Sequence, residues 1–289
     1  MKKLILFLFI SFQGFSQTIN FKGKLLDKEN NKPVVYANIS FLKANAGISS
    51  QENGTFIIKI DKKLLNKKVH ISCLNYKDTI VFAKDIHKKT LFLQPKIFEL
   101  DEIVISKNKN KKIILDKVKR RVTPFHTNNI RMIGKYFPNN LDDIFYVNNV
   151  KIYFSKRNSH KAKFRIRIFS VDEKTGKPKD DIFNKNIPIS IEKGEKMVEL
   201  SLKNYYIDFP KNGLFIAFEK LLIPYNLYNW SNKKNKKISY YAPVIGLTKS
   251  KEFKNINRLY CFINGGWHKI PMPDNDFSFV PAISLTLSN

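Results

Sequence analysis

Short apolar segments recur along this chain at intervals of about 10 to 15 residues, separated by polar or turn-forming clusters. Each is about the length of a β-strand, and after the first residues no stretch approaches the roughly 18 apolar residues of a membrane-spanning helix. Seven or so such segments precede residue 107, at 19–26, 34–42, 55–60, 69–74, 79–82, 90–93 and 103–105. Short strands with turns at this spacing predict an all-β protein whose first part is an antiparallel β-sandwich.

The local pattern around residue 54 makes this prediction more specific. Asn53-Gly54 is the dipeptide that most favours a two-residue hairpin turn, so we expect a hairpin there. In the segment that follows, Phe56, Ile58 and Ile60 are predicted to share one face of a strand. Residues 62–67 are the one stretch of this part that we expect to form a helical turn.

Spaced glycines, prolines and small residues mark this first part of the chain. They are Gly23, Asp27, Pro33, Ala37-Asn38-Ile39, Gly47-Ile48-Ser49-Ser50, Glu52-Asn53-Gly54 and Phe56, followed by Ser72, Tyr76 and Leu93. Their order resembles the carboxypeptidase-like regulatory domain, which is a transthyretin-like β-sandwich. Two positions depart from the family pattern: Gln51 replaces an acidic residue before the turn, and Asn75 replaces the glycine before Tyr76. We therefore expect such a domain over residues 17–106.

The resemblance implies a scaffold, because the motif residues have structural roles and include no nucleophile, paired catalytic carboxylates or metal-ligand set. Such domains occur beside peptidases and ahead of TonB-dependent outer-membrane receptors. Residues 99–106 are similar to the strand that closes the module in those receptors. Only 183 residues (289 − 106) follow Ser106, so we do not expect a large transport barrel.

Residues 107–129 are predicted to be a linker, because they begin with a run of charge. Ile114, Val118 and Val122 are spaced by four, which predicts a short helix over 113–122 that ends before Pro124. Strand-like segments then return at 144–154, 162–171, 187–191, 197–202, 213–218, 238–247, 259–263 and 282–287. We expect residues 130–289 to form a second antiparallel β-sandwich, of which a jelly roll is one form.

The segment at 162–171 alternates between apolar and basic side chains. Its apolar members are Phe164, Ile166 and Ile168, and its basic members are Lys163, Arg165 and Arg167. This alternation predicts a half-buried strand whose basic face is outside.

The first 16 residues have the pattern of a secretory signal peptide. Lys2 and Lys3 precede an apolar run at 4–10, and Gly14-Phe15-Ser16 supplies the small-x-small site for cleavage after Ser16. A buried N-terminal strand is the alternative interpretation. We expect an exported protein of a bacterial envelope, in the periplasm or associated with the outer membrane or cell surface, with no transmembrane segment after cleavage.

The formal charge is 52 − 24 = +28, or +26 without the two lysines of the leader. The lysines are spread along the chain, and Lys, Asn, Ile and Phe are all encoded by A/T-rich codons, so genomic bias explains much of the excess. Nucleic-acid-binding proteins usually concentrate charge on one element, with aromatic residues placed to stack bases. We therefore expect nonspecific attraction to anionic glycans or lipids and no specific nucleic-acid partner.

Reactive groups are sparse in this sequence. The five histidines lack metal-site spacing, and neither a G-x-S-x-G motif nor a phosphate-binding glycine loop is present. Asp172, Asp180 and Asp181 flank one loop without the regular spacing of a calcium loop. Cys73 and Cys261 lie in apolar segments and are expected to be buried free thiols, a disulfide being the alternative. We expect no catalytic residue, metal or cofactor.

Tyrosine and tryptophan are concentrated after residue 200, where they could stack on sugar rings or contact a protein. The residues we select as a ligand surface are Tyr228, Trp230 and Trp267. The sequence thus predicts a non-enzymatic binding or scaffolding module for a glycan or an envelope protein. An envelope hydrolase of glycan or peptide is the alternative, and converging carboxylates in a cleft would favour it.

Overall fold

The computed structural model describes residues 17–96, 111–118, 122–125, 131–155, 160–231, 237–251, 256, 258–271 and 278–289. The predicted leader and the predicted strand at 103–105 lie outside these residues. In the described part, no helix is both long and apolar enough to cross a membrane.

Residues 17–96, called here the N-terminal unit, form two sheets around one core. The strands are β1 Thr18–Asp27, β2 Asn38–Phe41, β3 Gly47–Ser49, β4 Thr55–Asp61, β5 Lys68–Ser72, β6 Thr79–Phe82 and β7 Thr90–Leu93. One sheet has the order β4-β1-β7 and the other β3-β2-β5-β6. Phe21, Phe41 and Phe56 meet between them, with ring centroids of Phe21 at 5.3 Å from Phe41 and 5.2 Å from Phe56. The expected sandwich is present, and the expected helical turn is a 3-10 helix at Lys62–Asn66.

Two local predictions for this unit were wrong. Asn53-Gly54 does not close a two-residue hairpin: β3 pairs with β2 and β4 pairs with β1, so the turn connects the two sheets. In this turn Gln51 N donates a hydrogen bond to the carbonyl oxygen of Thr55 (2.8 Å), and Gly54 has φ +78°. The unit is also not wholly antiparallel, because β7 returns past the helix α1 (Ala83–Ile86) to pair in parallel with β1.

In residues 111–289, called here the C-terminal unit, the regular structure that is described is almost all β-strand. The strands are β8 Lys112–Leu115, β9 Thr123–Pro124, β10 Met132–Phe137, β11 Tyr146–Tyr153, β12 Ala162–Val171, β13 Pro178–Asp181, β14 Pro188–Ile191, β15 Met197–Ser201, β16 Ile207–Asp208, β17 Leu214–Lys220, β18 Leu227–Ser231, β19 Lys237–Tyr241, β20 Gly246–Ser250, β21 Leu259–Ile263, β22 Gly266–Lys269, β23 Ser278–Pro281 and β24 Ile283–Ser288. Short 3-10 helices occupy Lys203–Tyr205 and Pro224–Asn226.

The C-terminal unit is a second sandwich. Its large sheet has the order β13-β12-β17-β10-β21-β22, with β14 also pairing β12. The opposing sheet has the order β15-β11-β24-β8, with β16 also pairing β11. The two sheets enclose an apolar core that includes Ile133, Phe164, Ile216, Ile152 and Leu285. Smaller sheets, β18-β19 and β23-β20-β9, complete the unit.

The predicted helix over 113–122 was wrong where the structure describes it. Residues 112–115 are the strand β8, paired with β24, so Ile113 and Leu115 pack on the core instead of a helix face. Asp116 follows with φ +49° and is buried against Lys135 (3.2 Å) and Arg258. Residues 119–121 lie outside the described part.

The second face of the large sheet is covered, which overturns the prediction of a basic outer face on β12. Arg165 is 0% exposed and Arg167 is 6% exposed. The N-terminal unit lies against this face: Ser49 N donates to Leu222 O (3.1 Å), and Leu222 N donates to Ser49 Oγ (2.9 Å). Tyr36 packs with Leu221 and Ile223 in the same seam. Strand alternation alone could not reveal this cover, because it comes from residues more than 100 positions away.

Candidate functional site

Arg165 holds the two units together at the centre of the covered face. Its Nε donates to Glu219 Oε2 (2.6 Å), its Nη1 to Asn186 Oδ1 (2.9 Å) and its Nη2 to the carbonyl oxygen of Tyr36 (3.1 Å). Burial raises the pKa of Glu219, but the charges of Arg165 and Arg167 outweigh it, so this pKa lies below its ordinary value. Tyr36 has φ +57°, a left-handed conformation that few side chains adopt, and this turns its carbonyl into the seam.

Arg167, two residues along the same strand, lies where the seam opens into a cleft. It binds both carboxylate oxygens of Asp181 on β13 and lies 4.0 Å from Glu219 Oε1. Burial lowers the pKa of Arg167, but the charge of Asp181 outweighs burial and raises it above the ordinary value. The guanidinium of Arg167 is therefore a fixed positive charge in the wall of this cleft.

The cleft has a volume of about 510 Å³ and is lined by both units. Ser72, Asn75, Lys77, Asp78 and Lys96 contribute from the N-terminal unit, and Met132, Arg167, Phe169, Lys179, Asp180, Asp181, Phe262 and Trp267 from the C-terminal unit. This volume lies in the range of small-ligand pockets. We call this feature the Trp267 cleft.

Trp267 is half-buried on β22 and is fixed by its neighbours. It lies opposite Phe262 in register, with ring centroids 5.4 Å apart at 71°, and meets Phe169 at 5.4 Å and 78°. A Cβ added at Gly134 would lie 3.2 Å from Cζ3 of the indole. The indole thus packs closely against the backbone of β10, which favours glycine at this position, and the cleft receives a rigid aromatic wall.

Two buried polar atoms in the cleft wall have no hydrogen-bond partner among the described residues. They are Ser72 Oγ and Asn75 Oδ1, and Ser72 is only 4% exposed. Buried polar atoms are normally hydrogen-bonded, so these two are exceptions, and they lie inside the wall, shielded from the open cleft. Asn75, which replaces the family glycine, has φ +71°, the left-handed conformation that glycine and asparagine adopt most readily. Its Nδ2 donates to the carbonyl oxygen of Asn184 across the seam (2.8 Å).

Each carboxylate of the cleft already has a cationic or imidazole partner. Asp181 binds Arg167, Asp180 binds Lys96 Nζ at 2.7 Å, and Asp78 Oδ2 lies 2.9 Å from His70 Nε2. A glycosidase needs two carboxyl groups placed to act on one bond, one as acid and one as base or nucleophile. Each of the three is engaged by a separate partner, which does not favour the hydrolase alternative.

His70 and Ser72 were not among the residues selected from the sequence. Both are buried on β5 and point to the same face, and His70 has Asp78 as its partner. A serine nucleophile requires a hydrogen bond to its histidine base, and Ser72 Oγ makes none with any described residue. The signal for these residues in the sequence was weak, because a histidine and a serine two apart on a strand are common.

The structure places the three sequence-selected aromatic residues on two sheets. Tyr228 lies on β18, where its ring is tilted against that of His160 (centroids 4.1 Å apart) and meets that of Tyr240 edge-on (5.0 Å). Trp230 is on the same strand, opposite Ile238 in register, and its side chain lies outside the described part. Trp267 contacts other rings, on β12 and β21. Tyr228 and Trp267 therefore do not share their ring neighbours, and the role of all three as ligand contacts stays a prediction.

A second cleft of about 450 Å³ lies at another part of the seam and is lined by Tyr36, Glu52, Lys163 and Tyr225 among others. Glu52 Oε1 accepts from Tyr36 Oη (2.6 Å) and from Lys163 Nζ (2.7 Å). Burial, then the hydrogen bond to Glu52, raises the pKa of Tyr36. These polar groups satisfy one another, so this cleft leaves fewer positions for a ligand than the Trp267 cleft does.

The remaining sequence-selected groups have other surroundings. Cys73 and Cys261 are both buried free thiols. Asp172 accepts from the backbone and hydroxyl of Thr175 (2.8 Å each) in a turn, away from the partners of Asp180 and Asp181. No group of three metal-ligating side chains occurs among the residues that the structure describes.

Comparisons with known proteins identify the first part of the chain. Residues 21–105 match the family model of the CarboxypepD_reg-like domain, which confirms the resemblance of that region. No curated protein matches the chain. Among solved structures, the cysteine protease and lectin-like domains of Cwp84, a surface layer associated protein of Clostridium difficile, are similar at 12% identity and a TM-score of 0.36. That match covers 56% of this chain and 32% of the other, so the chain spans about a third of that structure.

Proposed function

We propose that this protein is a non-catalytic binding module of a bacterial envelope and that it holds a saccharide in the Trp267 cleft. The observation that carries the proposal is a rigid, half-buried tryptophan in a cleft of about 510 Å³ that is also lined by exposed lysines and other polar side chains. Sugars present flat C–H faces and many hydroxyls, and aromatic rings with nearby hydrogen-bonding groups suit both. The exported location rests on the leader pattern of residues 1–16.

The N-terminal unit then acts as the scaffold that builds half of the cleft. Ser72 ends β5, Asn75 and Lys77 follow it, and Asn75 Nδ2, which donates to the carbonyl oxygen of Asn184, joins this segment to the C-terminal unit. In this proposal the N-terminal unit is an attached non-enzymatic domain, like the modules found ahead of TonB-dependent receptors. An envelope protein as the partner remains the competing form of the proposal.

Titration calorimetry of the mature chain with oligosaccharides tests the proposal. Trp267→Ala should weaken binding by at least about tenfold, because truncating a stacked aromatic anchor commonly costs about 1.5 kcal/mol or more. Tyr228→Ala on β18 is the matched aromatic control and should change affinity less than about twofold. An equal loss of affinity in Tyr228→Ala or Trp230→Ala would contradict binding at Trp267 and indicate a site at β18 instead.

The hydrolase alternative is separated by product analysis. Oligosaccharides incubated with the protein should be recovered uncut. Turnover that Asp78→Asn, Asp180→Asn or Asp181→Asn abolishes would replace the binding proposal with catalysis, whereas binding of a purified envelope protein, without any sugar binding, would support the protein-partner form.

A further inference from the structure

The charged side chains that line the Trp267 cleft bear on which saccharides it favours. The lining residues include three carboxylates and four lysine or arginine cations, namely Asp78, Asp180 and Asp181 against Lys77, Lys96, Arg167 and Lys179. Arg167 and Lys96 are engaged by Asp181 and Asp180. The third carboxylate, Asp78, contacts His70.

Lys77 and Lys179 differ from the other two cations. Both are exposed, and neither forms an ion pair or a side-chain hydrogen bond with a described residue. They come from opposite units, Lys77 from the turn after β5 and Lys179 from β13, so they flank the cleft. Because the carboxylates of the lining are already engaged, an anionic ligand meets uncommitted positive charge.

We propose, resting on the proposed function, that the Trp267 cleft selects saccharides that carry a carboxylate over their neutral counterparts. In this arrangement the sugar ring lies against Trp267, and its carboxylate lies near Lys77 and Lys179. The formal charge of +28 on the whole chain favours the approach of anions from a distance, but it does not favour one cleft over another. The selectivity is therefore assigned to the two flanking lysines.

The probes that test this inference are matched trisaccharides of glucose, galactose and mannose, each as the neutral sugar and as the corresponding uronate. Calorimetry at low and at physiological salt should give about tenfold tighter binding of a uronate than of its neutral partner, as two exposed charge contacts can provide. The preference should shrink as salt rises, because exposed charges are screened.

Lys77→Met with Lys179→Met should remove the preference and leave the affinity for the neutral sugar within about twofold. The charge-matched control is Lys59→Met with Lys174→Met, two exposed lysines outside the cleft lining. All four positions are exposed, so we expect both double variants to fold like the unsubstituted protein, and their melting temperatures check this.

The outcomes separate the inference from the proposed function. Equal binding of uronate and neutral sugar, with loss in Trp267→Ala, overturns the inference and leaves the function standing. A preference lost equally in the control variant shows a general effect of the basic chain and also overturns it. Failure of every trisaccharide to bind defeats the proposed function itself.

Discussion

Replacement of Arg165 by methionine is the sharpest test of how the two units are joined. The substitution keeps a long apolar side chain but removes the guanidinium, and with it the donors to Glu219, Asn186 and the carbonyl of Tyr36. Among the described residues, Glu219, whose side chain is 1% exposed, then has Arg167 as its one remaining ion-pair partner, at 4.0 Å. A carboxylate left in this position is a buried, poorly compensated charge.

The expected cost follows from these contacts. Breaking a buried ion pair by removing one partner typically costs about 3 to 5 kcal/mol, because the desolvated charge remains. The pair that Lys163, on the same strand as Arg165, forms with Glu52 of the N-terminal unit is much more exposed and is worth only about 0 to 1 kcal/mol. Arg165→Met should therefore lower the free energy of unfolding by about 3 to 5 kcal/mol, and Lys163→Met, its control, by less than about 1 kcal/mol.

Urea denaturation followed by circular dichroism measures both values. A second variant, Arg165→Met with Glu219→Leu, removes both charges and should be more stable than Arg165→Met alone, since hydrophobic replacement of a whole buried pair is often neutral. If Arg165→Met costs no more than Lys163→Met, or if the double variant is less stable than the single one, the buried seam does not hold the units as described.

Three further predictions concern single sites. Burial raises the pKa of Asp116, but its cationic partners outweigh burial and hold this pKa at about 2, against 3.8 in the unfolded chain. The stabilisation that Asp116 contributes is therefore complete above pH 3.8 and lost as pH falls through 2. Acid titration of the unfolding free energy should show a fall of about 2 kcal/mol that Asp116→Asn lacks. Gly54→Ala should destabilise more than Gly176→Ala in thermal melts: both have positive φ, but a Cβ at Gly54 collides with the Leu25 carbonyl and one at Gly176 meets nothing within 4 Å. Burial raises the pKa of Cys73 and brings that of Cys261 to about 12, so both thiols should resist a thiol reagent at pH 8 until denaturant is added; fast labelling of the native protein would contradict this.

Local sequence patterns predicted most of the fold. Strand-sized apolar segments predicted two sandwiches, and alternation placed Phe56 and Ile60 in the first core. The spacing of Ile114 and Val118 failed as a helix signal, because pairing with β24 decided the structure of residues 112–115. The Asn53-Gly54 turn is present, but the pairing partners of its flanking strands depend on the rest of the chain.

The candidate site was harder to predict because it is formed by distant segments. Trp267 was selected for its aromatic ring, but Ser72 and Asn75 lie almost 200 residues earlier and meet it only through the seam. Arg167 had the alternation of an exposed strand residue, and only the covering unit buries it. Asn75 carried one usable signal, its replacement of a family glycine, which was visible but had no assigned role.

Fluorescence of a chain with one tryptophan tests the central claim most directly. The protein has two tryptophans, so Trp230→Phe leaves Trp267 as the reporter in the cleft, and Trp267→Phe leaves Trp230 as its control. Titration with a uronic acid trisaccharide should change the emission of the Trp267 protein saturably and leave that of the Trp230 protein unchanged. Saturable change only in the Trp230 protein, or in neither, would contradict ligand binding against Trp267.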